Sequence, residues 1–167
     1  RSEGDPARFD KEHLPMHVVG GHGMVWASIR DPYIRRFHEK RMLGDSIGKG
    51  DSPYIRYDAE VTRTAVDWLQ RRGAGQDSPF VLYVGLVAPH FPLIAPDRFY
   101  DLYQNMSVPE VKLHPAQGHA RHPWVEAYAN FDCTEENFTS PEERERAFRA
   151  YWGLCSYLDR NVGLILH

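Results

Sequence analysis

The fold class turns on one stretch, Pro79-Phe-Val-Leu-Tyr-Val-Gly-Leu-Val-Ala88, and on the abrupt Pro89-His-Phe-Pro92 that ends it. The run is apolar without alternation and rich in β-branched and aromatic residues. A strand covered on one face alternates in and out of the core; a strand covered on both faces does not need to. The stretch is therefore predicted to be a strand buried on both faces, as in a parallel sheet with helices above and below. Working outward, a helix is predicted upstream from about Ala59 to Arg72. Asp58 is its expected N-cap, Val61, Ala65, Trp68 and Leu69 form its apolar stripe, and Gly73 and Gly75 stop it. Downstream, a short helix is expected from near Pro96 through Phe99 and Tyr103. Residues 106–139 read as loop, punctuated by Pro109, Pro115 and Pro123. A long helix follows Ser140-Pro-Glu-Glu143, where Ser is the cap, Pro opens the first turn and Glu143 completes a capping box. Its expected apolar face is carried by Phe148, Tyr151, Trp152, Cys155, Leu158, Val162 and Ile165.

Helix, buried strand, helix, loop, helix over residues 58–167 is the outline of an α/β protein, part of a mostly parallel sheet flanked by helices. Residues 1–57 are rich in Gly, Pro and charge and read as irregular, apart from short strands between Met16 and Ile29. One strong strand cannot pair its own edges, so partners are expected from the first third or from sequence beyond this chain. The opening Arg-Ser-Glu lacks an initiator Met and the last residue, His167, falls inside a helical pattern, so both ends are expected to be cut points within a longer protein.

With 167 residues, 42% of them hydrophobic and 26% charged, the chain has the composition of a folded globular domain. A net charge of −3 leaves no basic footprint for nucleic acid. No apolar run approaches the roughly 20 residues that span a bilayer. Cys133 and Cys155 do not form a C-x-x-C pair, and Cys155 is expected to be a buried structural thiol.

The histidines carry more chemistry. In open α/β sheets ligands bind beyond the carboxyl ends of the strands, and His90 stands two residues past that end, between Pro89 and Pro92. The prolines restrict the backbone and lower the entropy of holding the imidazole in one place. His90 there can contact an anionic oxygen or protonate a leaving alkoxide; on position alone, a histidine that ties down a loop is an equal reading. His114, His119 and His122 are spaced by five and three, without a carboxylate or thiolate at ligand spacing, and read as a solvated loop. His17 and His22 flank a glycine pair with nothing to fix their geometry. Gly44-Asp-Ser-Ile-Gly-Lys49-Gly50 is one residue short of a phosphate-binding loop and lacks the Ser or Thr after Lys. Asn105-Met-Ser107 and Asn137-Phe-Thr139 match the glycosylation triplet, a short pattern that chance supplies.

Taken together, Asp58-Ala-Glu-Val-Thr62, Asp67-Trp-Leu69, the whole of Pro79–Pro92, Ala95-Pro-Asp-Arg-Phe-Tyr100 and Tyr151-Trp-Gly-Leu-Cys-Ser-Tyr-Leu-Asp-Arg-Asn-Val-Gly163 resemble the middle of a type I sulfatase, in the alkaline phosphatase superfamily. The likeness runs in order from about Tyr54 to His167; the first fifty residues are similar only loosely, in a style nearer choline-sulfatase-like and iduronate-sulfatase-like members. It implies an incomplete sulfatase-like domain from the centre of one catalytic domain. The complete enzyme would cleave a small-molecule sulfate ester with a formylglycine nucleophile and a divalent cation, usually calcium. Within the family pattern, the His of Pro-His-x-Pro contacts the sulfate ester and assists the leaving group, a role carried over to His90 alone.

The nucleophile motif, Cys or Ser-x-Pro or Ala-x-Arg, is not present: Ser52-Pro-Tyr-Ile-Arg56 and Ser140-Pro-Glu-Glu-Arg144 place Pro one position early. The paired metal-binding aspartates, the later Asp-His and the Gly-Lys-x-His segment are likewise missing. The chain alone is thus expected to bind no cofactor and to be inactive, with catalysis belonging to the complete protein. Two alternatives are a phosphodiesterase or phosphonate monoester hydrolase of the same superfamily, and a non-catalytic binding or scaffold piece.

Overall fold

A computed structural model describes residues 43–72, 79–132 and 136–167. The expected strands between residues 16 and 29, His17, His22, Gly73, Gly75 and Cys133 lie outside the described residues. The elements are β1 (Ile47–Lys49), α1 (Pro53–Arg72), β2 (Leu93–Ala95), α2 (Asp97–Tyr100), a 3-10 turn (Pro115–Gln117), α3 (Pro123–Asp132) and α4 (Pro141–Leu166). β1 and β2 pair in parallel, Ile47 opposite Leu93 and Lys49 opposite Ala95. The architecture is α/β, as expected: a small parallel sheet with flanking helices, part of an incomplete domain. Among the described residues, no helix is long and apolar enough to cross a membrane.

The parallel pairing is not where the sequence placed it. Residues 79–87 form no regular element and join no ladder among the described residues, and Val81 and Tyr83 are 98% and 91% exposed. The strand is instead the short Leu93-Ile-Ala95, just beyond the two prolines. An apolar, β-branched run records what a segment would bury if covered on both faces; it does not supply the cover. β1 and the first turn of α1 also fall inside the stretch expected to be irregular.

α1 starts at Pro53, six residues before the expected Ala59. Pro53 has no N–H to lose at a first helical position, and Ser52 Oγ accepts from the Ile55 amide at 3.3 Å. Asp58 is therefore not a cap but an interior residue of the helix. α3 occupies part of the expected loop, again opening on a proline, with His122 Nδ1 accepting from the Trp124 amide at 3.2 Å. α4 begins as expected: Ser140 Oγ accepts from the Glu143 amide at 3.2 Å, and the Glu143 carboxylate accepts from the Thr139 amide at 2.8 Å.

α4 is rotated from its expected face. Its buried residues are Ala147, Ala150, Gly153, Leu154, Tyr157 and Asn161, while Phe148, Trp152, Cys155 and Leu158 are half-buried and Tyr151 and Val162 are exposed. Cys155 is a free, half-buried thiol. Small residues win the core side because they let the helix close on β2 and α2. A Cβ built on Gly153 would stand 2.9 Å from Ala95 Cβ and 3.1 Å from the Tyr100 amide nitrogen. The core joins Leu93, Ala95 and Tyr100 to Ala147, Ala150 and Leu154.

Candidate functional site

The apolar segment 79–87 ends in a turn whose peptide bonds Ala88-Pro89 and Phe91-Pro92 are both cis. The His90 amide donates to the Val87 carbonyl at 3.0 Å and closes the turn. His90 is exposed, with its ring flanked by two aromatics. The Phe91 ring lies 4.2 Å away between centroids, tilted by 36°; the Tyr54 ring, from the first turn of α1, meets it edge-on at 5.8 Å. His90 Nδ1 is 2.7 Å from the Phe91 carbonyl oxygen. A carbonyl oxygen only accepts, so Nδ1 is the donor and carries hydrogen. Nε2 is then a bare lone pair in the neutral ring and an N–H only in the imidazolium.

Asp58, expected as a helix cap, has a different task. It is fully buried, and its two oxygens accept from successive amides of the turn, Oδ1 from Val87 at 2.7 Å and Oδ2 from Ala88 at 2.8 Å. A carboxylate taking two main-chain donors does here what a neighbouring strand would otherwise do for those amides. Burial pushes the Asp58 carboxyl above the usual aspartate range, opposed by the pull of the two amide hydrogen bonds. Tyr54 and Asp58 are four residues apart, so one face of α1 meets both the imidazole and the backbone leading to it. That face is fixed in turn by α4, whose Tyr157 hydroxyl donates to the Ile55 carbonyl at 2.7 Å. The signal available in the sequence was spacing: Asp58, Thr62 and Ala65, all buried, repeat at i, i+4 and i+7. A search for apolar stripes discards a line whose first two members are polar.

The remaining candidates do not gather around His90. Lys49 pairs with Asp101 and lies 5.7 Å from the centre of the Tyr100 ring, so the glycine-flanked lysine ties β1 to the end of α2. His114 Nδ1 accepts from the Ala116 amide at 3.1 Å, opening the 3-10 turn. His119 and His122 are exposed. Asn137 is buried, and its Oδ1 accepts from the Leu43 amide at 2.8 Å. Ser52 and Ser140, the serines of the two near-matches to the nucleophile motif, both cap helices. Among the described residues, no group of three or more His, Cys, Asp or Glu side chains is placed to hold a metal ion.

Comparison with known proteins adds to this geometry. The sulfatase family model matches residues 20–167, so the likeness begins well before Tyr54, where it was read from the motifs. A choline-sulfatase of Rhizobium meliloti (strain 1021) is 34% identical over 137 residues, covering 74% of this chain and 26% of that protein. An arylsulfatase of Clostridium perfringens (strain 13 / Type A) is 28% identical over 107 residues, covering 64% of this chain and 21% of that protein. Arylsulfatase K of Xenopus laevis is 28% identical over 169 residues, with coverage of 88% and 30%. The chain thus spans under a third of the length of each of these relatives.

Proposed function

Because the chain belongs to the sulfatase family, we propose that the complete protein hydrolyses small-molecule sulfate esters, and that residues 1–167 are the central portion of its catalytic domain. His90 is the residue this chain contributes to the chemistry, as ligand of the sulfate ester or acid toward the leaving alkoxide. The observation that carries the reading is the exposed imidazole, flanked by Tyr54 and Phe91, whose Nδ1 is committed to the Phe91 carbonyl. Only Nε2 is left to meet a substrate, and it offers a hydrogen only when the ring is doubly protonated. A neutral His90 would point a lone pair at an anionic sulfate oxygen, which repels it. The active form is therefore the imidazolium, with its Nε2–H toward the substrate.

The formylglycine and the divalent cation, calcium in this family's pattern, belong in this reading to residues outside the chain. The described residues do not fit either group. Ser52 and Ser140 are engaged as helix caps, Cys155 sits inside α4, and no metal-holding cluster is formed among the described residues. Calcium titrated into the isolated chain by calorimetry is expected to give no saturable heat; saturable binding would show that the chain carries metal ligands of its own.

The decisive assay is turnover of an aryl sulfate, beside the matched aryl phosphate, by full-length enzyme carrying His90→Ala. A positioned acid typically contributes on the order of 10²–10⁴-fold, and a loss in that range is expected for the sulfate. Unchanged sulfate turnover would remove His90 from the mechanism, and faster turnover of the phosphate by the unmodified enzyme would reassign the substrate class.

A further inference from the structure

We propose that Asp58 is the positioning residue for His90: its buried carboxylate grips the two amides ahead of the turn and so fixes where the imidazole presents Nε2. The inference rests on the reading of His90 given above and adds a residue that touches neither substrate nor imidazole.

The grip acts at the right place. Residues 79–87 have no ladder partner among the described residues, so hydrogen bonding along that backbone does not define where the segment ends. The Val87 and Ala88 amides are instead held at 2.7 and 2.8 Å by one carboxylate. Val87 then passes the restraint on, because its carbonyl accepts from the His90 amide at 3.0 Å. Asp58 and the His90 backbone are thus connected through a single peptide residue. The anchor itself belongs to a 20-residue helix that the Tyr157–Ile55 hydrogen bond ties to α4.

The chemistry demands a carboxylate. Two converging N–H groups need two acceptors, and an aspartate offers one oxygen to each. Asparagine keeps the shape but supplies one acceptor and one NH₂, which sets a donor against a donor. One amide is released, and the turn relaxes away from the helix. Misplacement of a catalytic group by about 1 Å can cost on the order of 10²-fold in rate.

A double-mutant cycle on the full-length enzyme tests this, with an aryl sulfate as probe and circular dichroism at the assay temperature to establish folding. Asp58→Asn is expected to lower kcat about tenfold or more while KM changes less. In the His90→Ala background the same substitution is expected to change kcat by less than about twofold, because the group it positions has gone. A purely structural role predicts the same proportional loss in both backgrounds, and that result overturns the proposal; so does an unchanged kcat in Asp58→Asn alone. If His90→Ala itself leaves turnover unchanged, the His90 reading fails first, and the two failures are distinguished by that single variant. Should Asp58→Asn not fold, Asp58→Glu enters the same cycle. It keeps both acceptors but sets them one methylene further out, and a several-fold loss confined to enzyme that retains His90 is expected; any other pattern overturns the proposal.

Discussion

At the scale of single residues, the site depends on what each polar atom is already committed to. His90 has one nitrogen bound to its own loop and one to offer. Asp58 has both oxygens engaged by amides and is carried above the ordinary aspartate range by its burial. That direction has a consequence for stability. A carboxyl whose folded pKa lies above its unfolded pKa favours folding most below the unfolded value, where both states are protonated. The favourable contribution is lost as pH rises from the ordinary aspartate range through the higher folded value. Chemical denaturation across that acid window is expected to show the stability gap between the unmodified protein and Asp58→Asn shrinking, in favour of the variant, as pH rises. A gap independent of pH there would mean that Asp58 titrates alike in both states. The position of His90 on a turn after an apolar run was legible in the sequence, because proline on both sides of a histidine is a local signal. The role of Asp58 was not: it depends on contacts 29 and 30 residues away in the chain, and an aspartate before an amphipathic stretch reads equally well as a cap.

At the scale of elements, prolines account for most of what was missed and one glycine for the packing. α1, α3, α4 and the 3-10 turn each have proline as their first residue. Only Ser140-Pro141 announces itself as a helix start, because Glu143 completes a capping box and acidic residues fill the first turn. Ser52-Pro53 has the same opening without that charge signature, and His122-Pro123 was read as a break. The expected face of α4 followed the large apolar residues, whereas the helix is set by how close it can come to β2. Gly153 makes that approach possible, with Ala95, Tyr100 and Phe99 all within 3.2 Å of where a side chain would begin. Two of those neighbours are main chain and cannot swing aside. Gly153→Ala is expected to destabilise the fold by about 1–3 kcal/mol, the usual range for overpacking a close contact, despite alanine's better helix propensity. Denaturant unfolding measures this; a variant as stable as its parent would show that α4 can back away at no cost.

At the scale of the molecule, fold class and family were readable because they depend on order and spacing, which survive in a chain spanning only part of its relatives. Strand pairing was not, because it depends on partners. Residues 79–87, with Val81 and Tyr83 almost wholly in solvent, carry the composition of a covered strand without the cover. The small sheet, β1 beside β2, is stitched at its far end by the Gly50 amide, which donates to the Ala95 carbonyl at 3.0 Å. Lys49 and Asp101 close the same edge. The core beneath it is assembled from α4 and the segment just after the His90 turn, so folding of the core and placement of the turn share the residues Leu93 and Ala95.

The hydroxyl of Tyr157 on the Ile55 carbonyl gives this arrangement a mechanical meaning. α1 behaves as a stiff rod clamped near its front end, with the Tyr54 and Asp58 side chains straddling the clamp. Sliding of the rod along its axis would pull on the Val87–Ala88 peptide through Asp58, and so on the turn that carries the imidazole. The reach of His90 is therefore gauged by the lengthwise setting of a helix, a setting held by one tyrosine hydroxyl together with the packing of Ile55 on the core.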